Sequence, residues 1–410
     1  MPKIAILAIG DELLNGSLSD TNSATIANLI ARDGFTIRQI RLVRDVIEEI
    51  ADAVRQLSRE HDVLITTGGL GPTDDDMTAV AVATACDTET ELNQDALQMV
   101  DDFFERLGRP KHQRNLKSAT LPKGATPLEN RCGTAPGFYL QHQNCHLFSM
   151  PGVPDEMREM TRSAVLPKLV SLFGRPLHQP ERILTLAGIP EPMVEEQLLA
   201  AGLPEGIDLG FGIEFPLVLV KLRCDRPDAA ELLDRAEAMI ETLFAGSIVA
   251  RGDETLASAT AALLIDKQKT LSLAESCTGG LIGKMLTDIA GASSFLDRGA
   301  ITYSNRSKSD WLGVPETILE TAGAVSAATA EAMAKGIRSA AGTDFGLSVT
   351  GIAGPDGGTD DKPVGTVFIA LSDKDDTIVE HHIFAGNRER VRMRTACTAL
   401  TLLQKRLCDG

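Results

Sequence analysis

Aromatic side chains are scarce, at 4% of 410 residues with one Trp and two Tyr. The core must therefore be aliphatic, and a hydrophobic content of 43% is enough to build one. No window reaches about 18 consecutive apolar residues, which excludes an expected transmembrane helix. No charged segment leads into a long apolar run at the start, so no signal peptide is expected. CxxC is absent. The seven cysteines (86, 132, 145, 224, 277, 397, 408) are odd in number and irregularly spaced, as expected for reduced thiols in a cytoplasmic protein. GxxxxGK[ST] is also missing, so no P-loop is present. Cationic residues are in deficit, 40 against 57 acidic, for a net charge of −17. That balance disfavours direct binding of nucleic acid or of an anionic membrane.

What is present is alternation. KIAILAI (3–9), TIRQIRLV (36–43) and DVLITTGG (62–69) read as strands, and TNSATIANLIARDG (21–34) and IEEIADAVRQLSRE (47–60) as helices. This β-α-β-α-β order predicts a doubly wound, mostly parallel sheet over residues 1–170. A helix at 93–108, a loop-rich stretch at 109–137, a strand at 146–150 and a helix after PGVP complete it. SLFGRPLHQPE (171–181) marks a boundary, and 171–250 reads as a small α+β module of KH-like order without a GxxG loop. Residues 251–410 form a third, α/β domain, with strands at 270–275, 299–303, 345–350, 365–371 and 378–384 and a closing helix at 388–407. The fold class is thus multi-domain α/β.

Several loops leave predicted strand ends, where open α/β sheets bind ligands. IGDELLNG carries Gly10, Asp11 and Glu12; TTGGLGPTDDD carries Gly68, Gly69, Gly71, Thr73, Asp74 and Asp76; MPGVPDEM carries Pro151 and Gly152. Glycine-rich backbone offers an anion nest, and Asp11, Asp74 and Asp76 are candidate ligands for a divalent cation shared with a phosphorylated compound. In AESCTGG (274–280) three hydroxyl or thiol nucleophiles, Ser276, Cys277 and Thr278, precede Gly279 and Gly280. The free N–H groups of that glycine pair, at the opening of a helix, are candidates to hold an oxyanion or a phosphate. Serine needs a base. His381 and His382 alternate along a strand, whereas Lys308 follows a strand end in YSNRSK, with Tyr303 and Asn305 nearby. Burial beside Tyr303 would lower the Lys308 pKa. Cys277 at the helix start remains a rival nucleophile. Thr350 and Gly351 in SVTGIAGPDGG are candidate substrate contacts, and Arg388 or Arg390 in GNRERVRMR a phosphate partner.

GDELLNG, TGGLGPTDDD, GTAPGF and PGVPDEM together resemble the molybdopterin-binding-like domain of the CinA (competence/damage-inducible) family. AESCTGG resembles that family's C-terminal amidase domain, found alone as the PncC-type nicotinamide mononucleotide deamidase. The resemblance spans nearly the whole chain. It implies metal-dependent ADP-ribose pyrophosphatase activity in the first domain. In the third it implies hydrolysis of nicotinamide mononucleotide, without a cofactor. By that resemblance Ser276 is the nucleophile, Lys308 its base and Tyr303 an aid to proton transfer. Thr278, Gly279, Gly280, Asn305, Thr350, Gly351 and one of Arg388 and Arg390 would then bind substrate. A homodimer is expected. The alternatives are an N-terminal domain that only binds a molybdopterin-like or nucleotide ligand, and a competence or recombination accessory acting through protein partners.

Overall fold

The computed structural model describes residues 1–110, 112–176 and 180–409. The chain divides into two compact units, Met1–His178 and Gln179–Gly410. Residues 177–179 of the predicted boundary lie outside the described residues.

In the first unit, β1 (Ile4–Ile9), β2 (Ile37–Val43), β3 (Val63–Thr67), β6 (Thr126–Leu128), β7 (Gly137–His142) and β8 (Cys145–Met150) form one sheet, while β4 (Thr90–Leu92) and β5 (Thr120–Pro122) pair as a separate ribbon. The sheet order is β2-β1-β3-β8-β7-β6. The first four strands are parallel, and β7 and β6 are added antiparallel. Every residue of β1 and β3 is buried because helices cover both faces. Ala5, Leu7 and Ile9 pack with Ile50, Val54 and Leu57 of the helix Ile47–Glu60. Ile4 and Ile6 face the opposite way, against Ile26 and Ile30 of the helix Thr21–Ala31. β6 and β7 fall in stretches without strand periodicity, and the sequence does not announce them.

The second unit holds two sheets. β9 (Glu181–Leu186), β10 (Asp208–Glu214), β11 (Leu217–Arg223) and β12 (Ile248–Arg251) form an antiparallel sheet in the order β10-β11-β9-β12. β10 lies outside the strands expected from the sequence: in DLGFGIE Leu209, Phe211 and Ile213 alternate, but the positions between them are glycines, which weaken a strand. β13 (Leu271–Glu275), β14 (Leu296–Ile301), β15 (Phe345–Gly351), β16 (Thr366–Ser372) and β17 (Thr377–Ile383) follow in the order β14-β13-β15-β16-β17. β14, β13 and β15 run parallel, so their C-terminal ends share one edge. One face carries the C-terminal helix Arg388–Asp409 and the helix Leu256–Asp266; the other carries the helix Ala327–Ala341. Among the described residues no helix is long and apolar enough to cross a membrane.

Candidate active site

β13 lies between β14 and β15 and is buried throughout. Its end delivers Ser276, whose N–H donates to Val349 O at 3.0 Å and so continues the β15 pairing by one residue. The chain then turns through Gly279 and Gly280, with φ of 59° and 91°. Both lie in the left-handed region that side chains avoid, and a Cβ on Gly280 would also come within 3.0 Å of Ile301 Cδ1.

Lys308 reaches Ser276 from the neighbouring strand end. β14 stops, and Ser304 caps the next helix, Asn305–Leu312, by accepting from Ser307 N at 3.1 Å. The first turn of that helix points Lys308 inward. Its Nζ lies 3.1 Å from Ser276 Oγ and donates to Thr302 O at 2.8 Å. Lys308 is 1% exposed and Ser276 8%. Burial lowers the lysine pKa from its ordinary value, and the neighbouring Cys277 offsets this only in part. The burial does not come from the Tyr303 ring, as expected from the sequence. Tyr303 is 63% exposed, and its hydroxyl accepts from Arg388 Nη2 at 2.8 Å. Lys308 is sealed by the turn itself and by the Thr302 backbone.

The expectation that the glycine pair offers free donors is corrected by Glu275. This carboxylate, 3% exposed, accepts from Gly280 N at 3.0 Å, Ile282 N at 3.2 Å and Gly283 N at 2.8 Å. Gly279 N donates to Ser276 O. The helix N-terminus is therefore filled by the protein's own anion, which satisfies donors that would otherwise be orphaned. Among the described residues the N–H groups of Cys277 and Thr278 donate to no backbone carbonyl; both lie against the Cys277 sulfur, and they are the backbone donors nearest Ser276 that no carbonyl or carboxylate takes. Cys277 packs in the aliphatic core at 5% exposure, and burial pushes its thiol up to about 12. A thiol of that pKa is a poor nucleophile at neutral pH.

Of the remaining candidates, Arg388 sits at the rim. It donates to Gly354 O at 2.6 Å as well as to Tyr303. Arg390 turns away, its guanidinium 5.1 Å from the Phe215 ring centroid. Thr350 is 1% exposed and donates to Ala324 O at 2.7 Å. Gly351 is required by packing, since a Cβ there would lie 2.7 Å from Thr366 O. Asn305 is exposed at the helix start. His381 stacks on Phe368, and His382 pairs with Glu380, so both rings are engaged away from Ser276. Sequence reasoning missed Arg392, whose Nε and Nη2 both donate to Thr278 O at 3.1 and 2.6 Å. Its only signal is the four-residue spacing from Arg388.

In the first unit the loops after β1, β3 and β8 meet at one sheet edge. Gly68 N donates to Met150 O at 3.0 Å, and its φ of 113° and a Cβ position 2.2 Å from Ile9 O leave room for glycine alone. Asn22, not singled out in the sequence, ties the edge together. Its Nδ2 donates to Gly152 O at 2.7 Å and Thr67 Oγ1 at 3.1 Å, and its Oδ1 is buried without a partner among the described residues. Thr67 in turn donates to Pro151 O. Asp11, Asp74 and Asp76 are not brought together as a cation site. Asp76 accepts from Thr73 N at 2.8 Å and Thr73 Oγ1 at 2.6 Å, closing its own turn, and Asp74 is exposed. Among the described residues no three His, Cys, Asp or Glu side chains are grouped to hold a metal. Asp45, also missed, accepts from Asp11 N at 2.9 Å. Burial and the charges of Glu12, Asp11 and Asp75 raise its pKa.

A doubly wound domain followed by an α/β domain with a buried Ser–Lys contact at a strand end places the chain among multi-domain α/β proteins. The chain belongs to the CinA-like protein family. A "CinA-like protein" of Syntrophotalea carbinolica is 52% identical over 98% of both chains, and one of Geobacter sulfurreducens 45% over 99% of both. The family model described as a probable molybdopterin binding domain matches residues 5–170, and the CinA C-terminal domain matches residues 253–407. The crystal structure of competence/damage inducible protein CihA from Agrobacterium tumefaciens is 41% identical, covering 36% of this chain and 92% of its own, with a TM-score of 0.35.

Proposed function

We propose that the C-terminal domain hydrolyses nicotinamide mononucleotide to nicotinate mononucleotide and ammonia. The reading is carried by the 3.1 Å contact between Lys308 Nζ and Ser276 Oγ in a buried setting that favours the neutral amine. Neutral Lys308 takes the Ser276 proton as Oγ adds to the carboxamide carbon. The N–H groups of Cys277 and Thr278 are candidates to stabilise the oxyanion. The C–N bond then breaks, and Lys308 returns the proton to the departing ammonia. Water, deprotonated by the same amine, hydrolyses the resulting ester. Arg388 at the rim is the candidate partner for the substrate phosphate. Ammonia release from nicotinamide mononucleotide by the purified chain tests the reading, and its absence with folded protein overturns it.

Because the Cys277 thiol is packed and fully protonated at neutral pH, Cys277→Ala should keep substantial deamidase activity. It should cost about 1 kcal/mol of stability, the usual scale for a point substitution. Inactivity of the folded variant would move the nucleophile to Cys277.

For the first domain we propose cleavage of the ADP-ribose pyrophosphate with a divalent cation. The carboxylates are hard oxygen donors of the right kind, but they are not grouped as a metal centre, and no step is derived through one. A cation held jointly with substrate phosphates needs only one or two of them. The same lack of a preassembled site favours a second reading, in which this edge binds a phosphorylated ligand without turnover. Chelator should abolish ADP-ribose cleavage and spare deamidation, and Asp76→Ala, which opens the Thr73 turn, should weaken the first activity alone. Phosphate release from ADP-ribose, coupled to a phosphatase, measures it. No release under any metal leaves the binding reading, and equal loss of both activities in chelator argues against separate sites.

A further inference from the structure

The C-terminal helix begins with two basic stripes. Arg388 and Arg392, one turn apart, hold Tyr303, Gly354 and Thr278. Arg390 and Arg394, again one turn apart, lie against the Phe215 ring at 5.1 and 5.3 Å from its centroid. Beyond that stack the same helix floors a cavity of about 670 Å³, walled by β10, β11 and the loop after β9 on one side and β17 on the other. The volume falls in the range of about 300–1,000 Å³ typical of small-molecule sites. Ser276, Lys308, Thr350 and Arg388 are not among its lining residues.

Its walls are apolar, with Ile189, Ile213, Leu217 and Phe384 facing the space. Ile213 is 69% exposed at the mouth, a poor place for a large aliphatic side chain that has nothing to cover. The charges are unevenly committed. Glu380 is held by His382 Nε2 at 2.8 Å, and Glu191 lies in the first turn of the helix Glu191–Ala201, where the helix dipole favours it. Arg394 has a buried Nε with no acceptor among the described residues, and Lys405, exposed at the rim of the cavity, acts on Glu380 by charge alone. The Nε itself is covered, so an anion in the cavity would meet the outer guanidinium nitrogens of Arg394, for which no acceptor is found among the described residues.

We propose that this cavity is a second small-molecule site, for a compound with a flat apolar body and one anionic group. The body lies against Phe215, Ile213 and Leu217, and the anion meets Arg394 with Lys405 at the entrance. The site is independent of the deamidase reading, since binding can be measured without turnover.

The probe is anilinonaphthalene sulfonate, a flat apolar anion that fluoresces when desolvated, added to the full-length protein. Saturable one-to-one binding is expected, undisturbed by nicotinamide mononucleotide. Arg394→Met keeps the apolar stem and should weaken binding about tenfold. Lys405→Gln, at an exposed position that cannot unfold the protein, should weaken it by a smaller factor, about threefold. Phenylnaphthylamine, which lacks the sulfonate, should bind the parent and Arg394→Met equally. Non-saturable binding, displacement by nicotinamide mononucleotide, or an affinity for the sulfonate unchanged in both variants overturns the proposal. So does an equal loss for the neutral probe, which would trace the effect to damaged packing.

Discussion

Lys308→Arg lowers kcat on nicotinamide mononucleotide by about two to four orders of magnitude, the usual contribution of a general base. Arginine keeps the charge and can still donate to Thr302 O, but it cannot give up a proton in a protein. Among the described residues Lys308 pairs with no carboxylate, and its burial penalises the ammonium, so the neutral amine that Ser276 requires lies closer to neutral pH than in a free lysine. If Lys308 only held the substrate phosphate, Arg would raise KM and spare kcat. Near-normal kcat in the folded variant therefore rules out the base. Lys308→Met supplies a second readout. The unfolded chain binds the Lys308 proton up to a pH of about 10.4, and the folded chain releases it earlier. Wild-type stability should then rise relative to Lys308→Met as pH climbs from the lowered folded pKa to about 10.4. Denaturant titrations of both proteins across alkaline pH measure the difference, and parallel curves would mean that the amine is charged in the fold.

Glu275→Ala should be the most damaging substitution near the site that touches no reacting atom. Its carboxylate takes three backbone N–H groups at the start of the helix Leu281–Thr287. Removing it orphans these donors next to a buried strand end, at about 3 kcal/mol in total, more than the loss of an ordinary N-cap. The thermal transition of the second unit should fall by about 6–12 °C. The turn carrying Ser276 would also lose its anchor, so kcat should fall while KM stays close to the parent value. Glu275→Gln retains one acceptor oxygen and should recover part of both. A Glu275→Ala protein as stable as the parent would mean that water replaces the carboxylate. The role assigned to Glu275 would then be wrong.

Much of the candidate site was legible in the sequence because it sits at strand ends. AESCTGG combines a buried apolar run, a nucleophile and two glycines, and such a string has few structural readings other than strand, tight turn and helix. Lys308 was legible only through the family resemblance: YSNRSK ends one strand and opens a capped helix, but by itself it reads equally well as a solvated helix start. The parallel edge that gathers Gly10, Gly68 and Gly152 followed from β-α-β order alone. Glu275 was not recognised, although it stands beside Ser276, because an acidic residue at a strand end reads equally well as a solvated charge. Only the burial of that end and the helix start above it turn the carboxylate into an internal cap.

The sequence by itself determined the opening β-α-β-α-β run of the first domain, the five strands of the third, the aliphatic cores, and the turns on which Ser276 and the glycine-rich loops are mounted. Each follows from local rules: hydrophobic period, turn chemistry and capping act over a few residues. Tertiary structure alone decided what those turns meet. It placed Arg388 at the rim with Tyr303 and turned Arg390 onto Phe215, although only one residue separates them, because a helix sends such neighbours to different faces and only packing says what each face touches. It added β6, β7 and β10, whose short or glycine-bearing segments become strands only when a neighbour offers hydrogen bonds. It buried Glu275 at the helix start, where the carboxylate goes to the N–H groups within reach, because strands far away in the chain cover that end of β13.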